Sequence, residues 1–233
     1  METTLHRQLK EIYAPDELDR EVRVDGFRID GIAGNQLIEI QYGSLGAIRD
    51  KIRKLVKKHE VHIVKPLAAR KYLITRTTKN GKVASSRYSP KRESFLDFFL
   101  DFVHFVNVFP HPNLTIELLL TEQEEHRIQK KQKRWRGKNH KVVDRKLVSL
   151  GESRELQTAE DLAAFLPKPL TKKRSKVEFT TADLTREADI PRWLAQKMAY
   201  CLRKTNVITT TGKQGNSLVY ELKRPKRGRK RAA

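Results

Sequence analysis

Apolar residues in the first segment recur at helical spacing. Leu5, Leu9 and Ile12 predict one stripe of a helix over Thr3 to Tyr13, ended by Ala14-Pro15. From Glu21 the period changes to two. Glu21-Val-Arg-Val and Phe27-Arg-Ile-Asp alternate on either side of Asp25-Gly26, which predicts a two-residue hairpin. Leu37 to Gln41 predicts a third strand. Ser44 is placed to cap a helix with Leu45, Ile48, Ile52, Leu55 and Val56 on one side. Val61 to Pro66 predicts a buried fourth strand. A second hairpin is expected around Asn80-Gly81, with arms Tyr72 to Thr77 and Lys82 to Ser85. Phe95 to Val108 predicts a buried helix and Leu114 to Leu120 a strand. This order predicts an α/β (α+β) fold, a mixed central sheet flanked by helices.

The texture changes after residue 120. Glu, Gln, Lys and Arg dominate residues 121–155, which predicts a basic polar helix and linker. Thr158 to Leu166 predicts a short helix, and 167–176 a Pro/Lys-rich connector. Residues 156–222 form a second patterned block. In it Thr181 to Ala188 and Pro191 to Lys204 predict helices, the latter with Leu194, Met198, Cys201 and Leu202 inward and Arg192, Gln196, Ala199 and Arg203 outward. Val207 to Thr211 and Leu218 to Leu222 predict strands around Gly212-Lys-Gln-Gly-Asn. The division expected is thus 1–120, 121–155, 156–222 and a basic tail, 223–233, too charged to fold alone.

Charge sharpens this picture. The 233 residues carry 49 Lys and Arg against 28 Asp and Glu, a formal net charge of +21. The excess grows along the chain: net +5 over residues 1–120, +7 over 121–178 and +9 over 179–233. A nearly balanced folded block is followed by basic, polyanion-seeking parts. The single cysteine, Cys201, excludes an internal disulfide framework and a cysteine-rich zinc site, as expected of a reducing compartment. The first residues have no signal-peptide core. The apolar run Phe95 to Phe109 is broken by Asp97, Asp101 and His104 and is shorter than the roughly 20 residues a bilayer span needs. No membrane association is expected; a cytoplasmic location is, on the nucleoid if the source is bacterial.

The hairpin register makes a chemical prediction. With Asp25-Gly26 as the turn, Val24 pairs with Phe27, Arg23 with Arg28, Val22 with Ile29 and Glu21 with Asp30. Val22, Val24, Phe27 and Ile29 then share one sheet face, and Glu21, Arg23, Arg28 and Asp30 the other. With the third strand alongside, Asp30, Glu39 and Gln41 meet at one end of the sheet. Paired like charges repel, so this grouping calls for a proton, an arginine or a hard divalent cation.

A helix, a hairpin ending in Asp30 within VDGFRID, a strand with Glu39-Ile40-Gln41 within LIEIQ, a helix and a strand together resemble the core of the PD-(D/E)xK, restriction-endonuclease-like nuclease superfamily. The resemblance covers about residues 1–66. It implies metal-dependent phosphodiester hydrolysis, with Mg²⁺ (or Mn²⁺) held by Asp30, Glu39 and the Ile40 carbonyl. Gln41 stands where the family usually has Lys and cannot carry its charge. It is left to orient the attacking water. Of the acids available to complete the site (Glu2, Glu11 and Glu21), Glu21 is preferred on register. A homodimer follows from the resemblance alone.

The second block resembles a small winged helix-turn-helix domain. That implies a helix, Pro191 to Lys204, in a DNA major groove, with Arg192, Gln196 and Arg203 facing it and Lys213 on the wing near phosphates. Arg227-Gly228-Arg229 in the tail is similar to an AT-hook core, although Lys230 replaces the usual proline. Further DNA contacts are expected at Arg49, Arg53 and Lys57 on the helix after Gln41, and at Arg87 and Lys91 in a basic loop. The leading expectation is a Mg²⁺-dependent DNA endonuclease. The alternative is a non-catalytic DNA-binding protein or regulator on a degenerate nuclease scaffold, with Gln41 as its support. RNA or ribosome binding ranks below both, because few aromatics are expected at the surface.

Overall fold

The computed structural model describes residues 2–130, 139–171 and 177–223. The chain divides into two compact units, Met1–Gln157 and Thr158–Ala233.

The first unit opens with helix α1 (Thr4–Tyr13), whose N-cap Thr3 accepts the His6 N–H. Leu5 and Leu9 are buried as expected. Ile12 is not; it is 46% exposed, and Lys10 is buried instead. The helix turns Lys10 inward because two carboxylates wait for its ammonium, described below. Strands β1 (Arg20–Val24) and β2 (Phe27–Ala33) form the expected hairpin in the expected register, Val22 opposite Ile29 and Val24 opposite Phe27. Asp25 and Gly26 both take positive φ, 48° and 81°, as a tight two-residue turn requires. Strand β3 (Gln36–Ile40) pairs antiparallel with β2.

Ser44 caps a 3₁₀ turn, Leu45–Ala47, rather than the α-helix itself. Helix α2 (Arg49–Leu55) follows, and the expected stripe from Leu45 to Val56 is buried. Strand β4 (Glu60–Arg76) then runs parallel to β3. It is one 17-residue strand, not a short strand followed by a separate hairpin arm. Pro66 is tolerated inside it because β3 stops pairing at Val64, so no neighbour on that side needs its missing N–H. Farther along, β5 (Val83–Tyr88) takes up that edge.

The phenylalanine-rich segment is a 3₁₀ turn, Phe95–Phe98, and a single α-helical turn, α3 (Phe99–Phe102), rather than one long helix. Phe95, Phe98, Phe99, Phe102, Phe105 and Phe109 are all buried. Their density serves core packing more than helical continuity.

The largest correction concerns residues 121–155. In place of a polar helix and linker, strands β6 (Leu114–Gln129) and β7 (His140–Leu156) form a long antiparallel pair, with β6 also parallel to β4. Residues 131–138 of this stretch lie outside the described residues. The polar run misleads because Thr121, Gln123 and Glu125, at period two, are buried polar residues. Each finds a partner: Thr121 Oγ donates to the Leu67 carbonyl (3.0 Å) and Gln123 Nε2 to Thr121 Oγ (2.8 Å), while Glu125 gathers cations. Such pairing offsets most of the cost of placing polar side chains inside a sheet, although Gln123 Oε1 is buried without a hydrogen-bond partner among the described residues.

The sheet has the order β1-β2-β3-β4-β6-β7, with β5 attached to β4. It is the expected mixed central sheet. Helix α1 packs Leu5 and Leu9 on the face that carries Ile38, Ile40, Val64 and Leu119. Glu39, one residue out of step, turns to the other face, where α2 reaches it.

The second unit contains α4 (Ala159–Ala163), β8 (Glu178–Phe179), α5 (Thr181–Ala188), α6 (Arg192–Lys204), β9 (Ile208–Gln214) and β10 (Ser217–Leu222). Thr158 with Asp161 and Thr180 with Asp183 form capping boxes that start α4 and α5. The strands order as β8-β10-β9. Leu194, Met198, Cys201 and Leu202 are buried as expected, but so is Ala199, which the sequence placed outward. The hairpin loop is only Gly215-Asn216, so Gly212 to Gln214 belong to β9 rather than to the loop.

Candidate active site

The site forms where β2 and β3 part. Their pairing ends at Gly31 opposite Ile38. One residue earlier on β2, the side chain of Asp30 turns into the opening. Its Oδ2 accepts the Ile40 N–H at 2.8 Å and stands 3.0 Å from His6 Nε2 of α1. Gly31 permits this junction: a Cβ there would lie 2.6 Å from the Cβ of Ala14, which ends α1.

Glu39 is 6% exposed, and its Oε2 accepts from Lys51 Nζ of α2 at 2.6 Å. The same ammonium donates to the Arg28 carbonyl at 2.5 Å. Burial first, then the charge of Asp30, push Glu39 up to about 7, with Lys51 opposing. Burial acts on Asp30 in the same direction, but the hydrogen bond and charge of His6, the Ile40 N–H and Lys51 outweigh it and hold Asp30 below the usual carboxylate range. His6 is raised in turn: burial would lower it, and Asp30 more than compensates. Two nearby carboxylates thus differ sharply in proton affinity because one has three hydrogen-bonding or charged neighbours and the other is buried behind a single lysine.

A second ring of charge surrounds them. Glu21 takes φ 58°, leaves the regular strand conformation and accepts from Lys10 and from Arg28. Lys10 also pairs with Glu2 at 2.5 Å, and His6 Nδ1 lies 3.9 Å from Glu2. Of the three acids named to complete the site, Glu2 and Glu21 join this network. Glu11 does not; it is exposed and pairs with Arg7 at 3.8 Å.

Gln41 occupies the expected position, but its Nε2 donates to the Ser44 carbonyl at 2.6 Å and so braces the turn before α2. The cation on Glu39 comes from that helix instead. The sequence shows Lys51 only as one of four basic residues on α2, with nothing to single it out. His6 and Lys10 carry no sequence signal at all, since their roles depend on how α1 lies against the sheet.

Oxygen donors alone (Asp30, Glu39 and the Ile40 carbonyl) make a donor set whose chemistry fits a hard divalent cation. A different group, His62, Glu117 and Glu155, brings ligand atoms within 4.8 Å of one another on β4, β6 and β7. There His62 Nε2 lies 3.1 Å from Glu117, which also accepts from Tyr13 and Ser153. The sequence treats His62 as a plain strand residue, because its partners lie 55 and 93 positions away.

The expected basic contacts are dispersed. Arg49 and Arg53 both pair with Asp50, at 3.1 and 3.0 Å, while Lys57 and Arg87 are exposed. Lys91 pairs with Glu93 at 2.9 Å. In the second unit Arg192, Gln196 and Arg203 are exposed on α6 and Lys213 on β9. Trp193 and Tyr200 also face solvent on α6, at 52% and 40% exposure, against the expectation of few surface aromatics. Arg227 and Arg229 lie outside the described residues.

No described helix is long and apolar enough to cross a membrane. No solved structure matches the chain at a significant level. An uncharacterized protein of Treponema pallidum (strain Nichols) is 27% identical over 225 residues, spanning 96% of this chain and 86% of that protein. A family model described as a domain of unknown function, DUF8091, matches residues 3–157, which coincide with the first compact unit. The chain therefore belongs to the DUF8091 family, with the site at the parting of β2 and β3 inside the matched domain.

Proposed function

We propose that the protein is a divalent-metal-dependent DNA endonuclease, with a PD-(D/E)xK-like first unit and a winged-helix-like second unit that holds the duplex. The observation that carries this reading is the meeting of Asp30 and Glu39 at the parting of β2 and β3, with Lys51 on Glu39. The order α1, antiparallel β1-β2-β3, α2 and a β4 parallel to β3 supports it. So does the second unit, where a helix pair leads into a hairpin whose second strand, β10, lies between β9 and β8.

Asp30, Glu39 and the Ile40 carbonyl would hold Mg²⁺ or Mn²⁺. The ion supplies an acidified water and neutralises charge building on the scissile phosphate. The remaining roles fall to the chain. His6 and the Ile40 N–H fix the Asp30 carboxylate. Lys51 orients Glu39 and presents a positive charge beside it, which Gln41 cannot do. Gln41 holds the turn that sets the start of α2. Arg192, Gln196, Arg203 and Lys213 contact the duplex.

A second reading, a non-catalytic DNA-binding protein on this scaffold, draws on two observations: Lys51 already pairs with Glu39, and the Gln41 amide is engaged with Ser44. Supercoiled, linear, branched and single-stranded DNA incubated with Mg²⁺ or Mn²⁺ separate the two. The endonuclease reading expects cleavage that Asp30→Ala and Glu39→Ala each abolish. Absence of cleavage at high enzyme excess, together with no carboxylate-dependent Mn²⁺ binding by calorimetry, leaves the binding protein. Cleavage surviving both substitutions points to a different site or a contaminant.

A further inference from the structure

A cavity of about 420 Å³ opens beside Tyr42, the residue after Gln41, and is lined by β4, β6, β7 and the chain after β5. At its base Glu125 is 3% exposed. Arg127 Nη2 lies 2.6 Å from Glu125 Oε1, Arg145 Nε 3.0 Å from Oε2 and Lys71 Nζ 3.7 Å from Oε2. One carboxylate therefore serves three cations, and two positive charges are left over. These are not solvated surface groups: the Lys71, Arg127 and Arg145 side chains are 17%, 19% and 22% exposed. Lys91 at the rim adds nothing to the excess, being paired with Glu93.

The cations are also held in place. Lys71 Nζ donates to the Tyr42 hydroxyl at 3.2 Å, and the Arg145 guanidinium lies 4.4 Å from the Tyr42 ring centre. Half-buried charge without a counter-charge is costly, and an anion entering the cavity offsets that cost, by two charges for a fully ionised phosphate monoester and by one for a diester. Guanidinium groups fixed in orientation match phosphate oxygens in particular.

We propose that this cavity binds a phosphate group of a nucleic-acid strand, with Arg145, Arg127 and Lys71 as the phosphate ligands and Glu125 as the group that positions them. Phosphate as the ligand follows from the cavity itself; a nucleic-acid strand as its source rests on the proposed function. Tyr42, two residues past the end of β3, forms one wall of the cavity. The phosphate is either a terminal monoester or a backbone diester, and the two give different results below.

The test uses the full chain in EDTA, so that cleavage does not interfere. Inorganic phosphate and pyrophosphate are titrated by calorimetry at low salt. Labelled single-stranded oligonucleotides with a 5′-phosphate, a 3′-phosphate or only hydroxyl ends are titrated by anisotropy. The expected result is saturable pyrophosphate binding that Arg145→Gln and Lys71→Gln each weaken at least tenfold. Lys58→Gln, the loss of an equal charge at a 70% exposed position, changes it less than twofold. A tenfold preference for one phosphorylated end that Arg145→Gln removes assigns a terminal monoester. Equal binding of all three oligonucleotides, weakened alike by Arg145→Gln, assigns a backbone diester. Absence of saturable binding to the wild-type chain, or binding indifferent to both cavity substitutions, overturns the proposal. The wild-type titration decides even if a variant fails to fold. Phosphate binding without any DNA cleavage sinks the endonuclease reading and leaves the cavity assignment standing; cleavage without phosphate binding does the reverse.

Discussion

Lys51 Nζ stands 2.6 Å from Glu39 Oε2, although the two residues belong to different elements and lie 12 positions apart. The cation at the candidate site is therefore delivered by α2, and the strand position that the resemblance assigns to a lysine is left to the amide of Gln41. Under the proposed function this makes the two residues unequal. Lys51→Met is expected to lower Mg²⁺-dependent cleavage by roughly 10²-fold or more, the scale on which positioned charged groups act. Lys51→Arg should retain a larger share. Gln41→Ala, which removes only a brace on Ser44, should cost less than about tenfold. Equal losses at Lys51 and Gln41 in single-turnover assays would contradict this division of roles.

Glu39 carries a stability cost that depends on pH. Its folded value of about 7 lies above its ordinary 4.5. Below pH 4.5 the folded and unfolded chains both hold the proton, and the residue is neutral to stability. Between 4.5 and 7 the unfolded chain releases the proton first, so stability falls as pH rises, by up to about 3 kcal/mol in all. Glu39→Gln is therefore expected to raise Tm in EDTA at pH 8 and to leave it nearly unchanged at pH 4.5. An equal shift at both pH values removes the explanation.

The opposite sign holds for Asp30, Glu93, Glu117 and Glu125. Burial would raise each of them, but their hydrogen-bonded and charged neighbours hold all four below the ordinary range. Their contribution is present above the unfolded values of 3.8 to 4.5 and is lost as pH falls through the lower folded values. Urea unfolding across pH should thus show a maximum near pH 5. Glu117→Gln should flatten the acid limb and leave the alkaline limb, to which Glu39 and the raised His6 both contribute, in place.

Gly31 is the narrow point of the site. A Cβ would meet that of Ala14 at 2.6 Å and push α1, with His6, away from Asp30. Gly31→Ala should destabilise the chain by about 1–3 kcal/mol, the usual range for overpacking. Ala14→Gly in the same chain should recover part of the loss. Strict additivity in a double-mutant cycle would mean that the two positions do not touch.

In the second unit, Arg203 and Lys213 are exposed on α6 and β9. If they contact phosphates, Arg203→Ala and Lys213→Ala should each weaken binding to all duplex sequences alike and reduce the salt slope of log K by about 1. Gln196→Ala should instead alter preference among sequences, with little change in slope. Duplex binding measured from 50 to 200 mM salt reads both effects.

The hairpin turn, the face alternation of β1 to β3 and the apolar stripe of α2 were legible because each depends on residues within a few positions of one another. Asp25-Gly26 specifies its turn through φ alone, and the turn then sets which side chains share a face. Residues 121–155 were not legible. Thr121 and Glu125 look like part of a solvated helix until Leu67 and Lys71 of β4 and Arg145 of β7 meet them, and those partners lie 20 to 54 positions away.

The candidate site divides along the same line. By itself the chain determines Asp30 and Glu39, since turn and period place both on one face near one end of the sheet. Only the tertiary structure brings Lys51 to Glu39, His6 to Asp30 and Lys10 to Glu21, and only it collects three cations on Glu125. Local backbone geometry propagates a few residues along a strand, whereas the charge that a buried group meets is decided by which helix or distant strand packs against it.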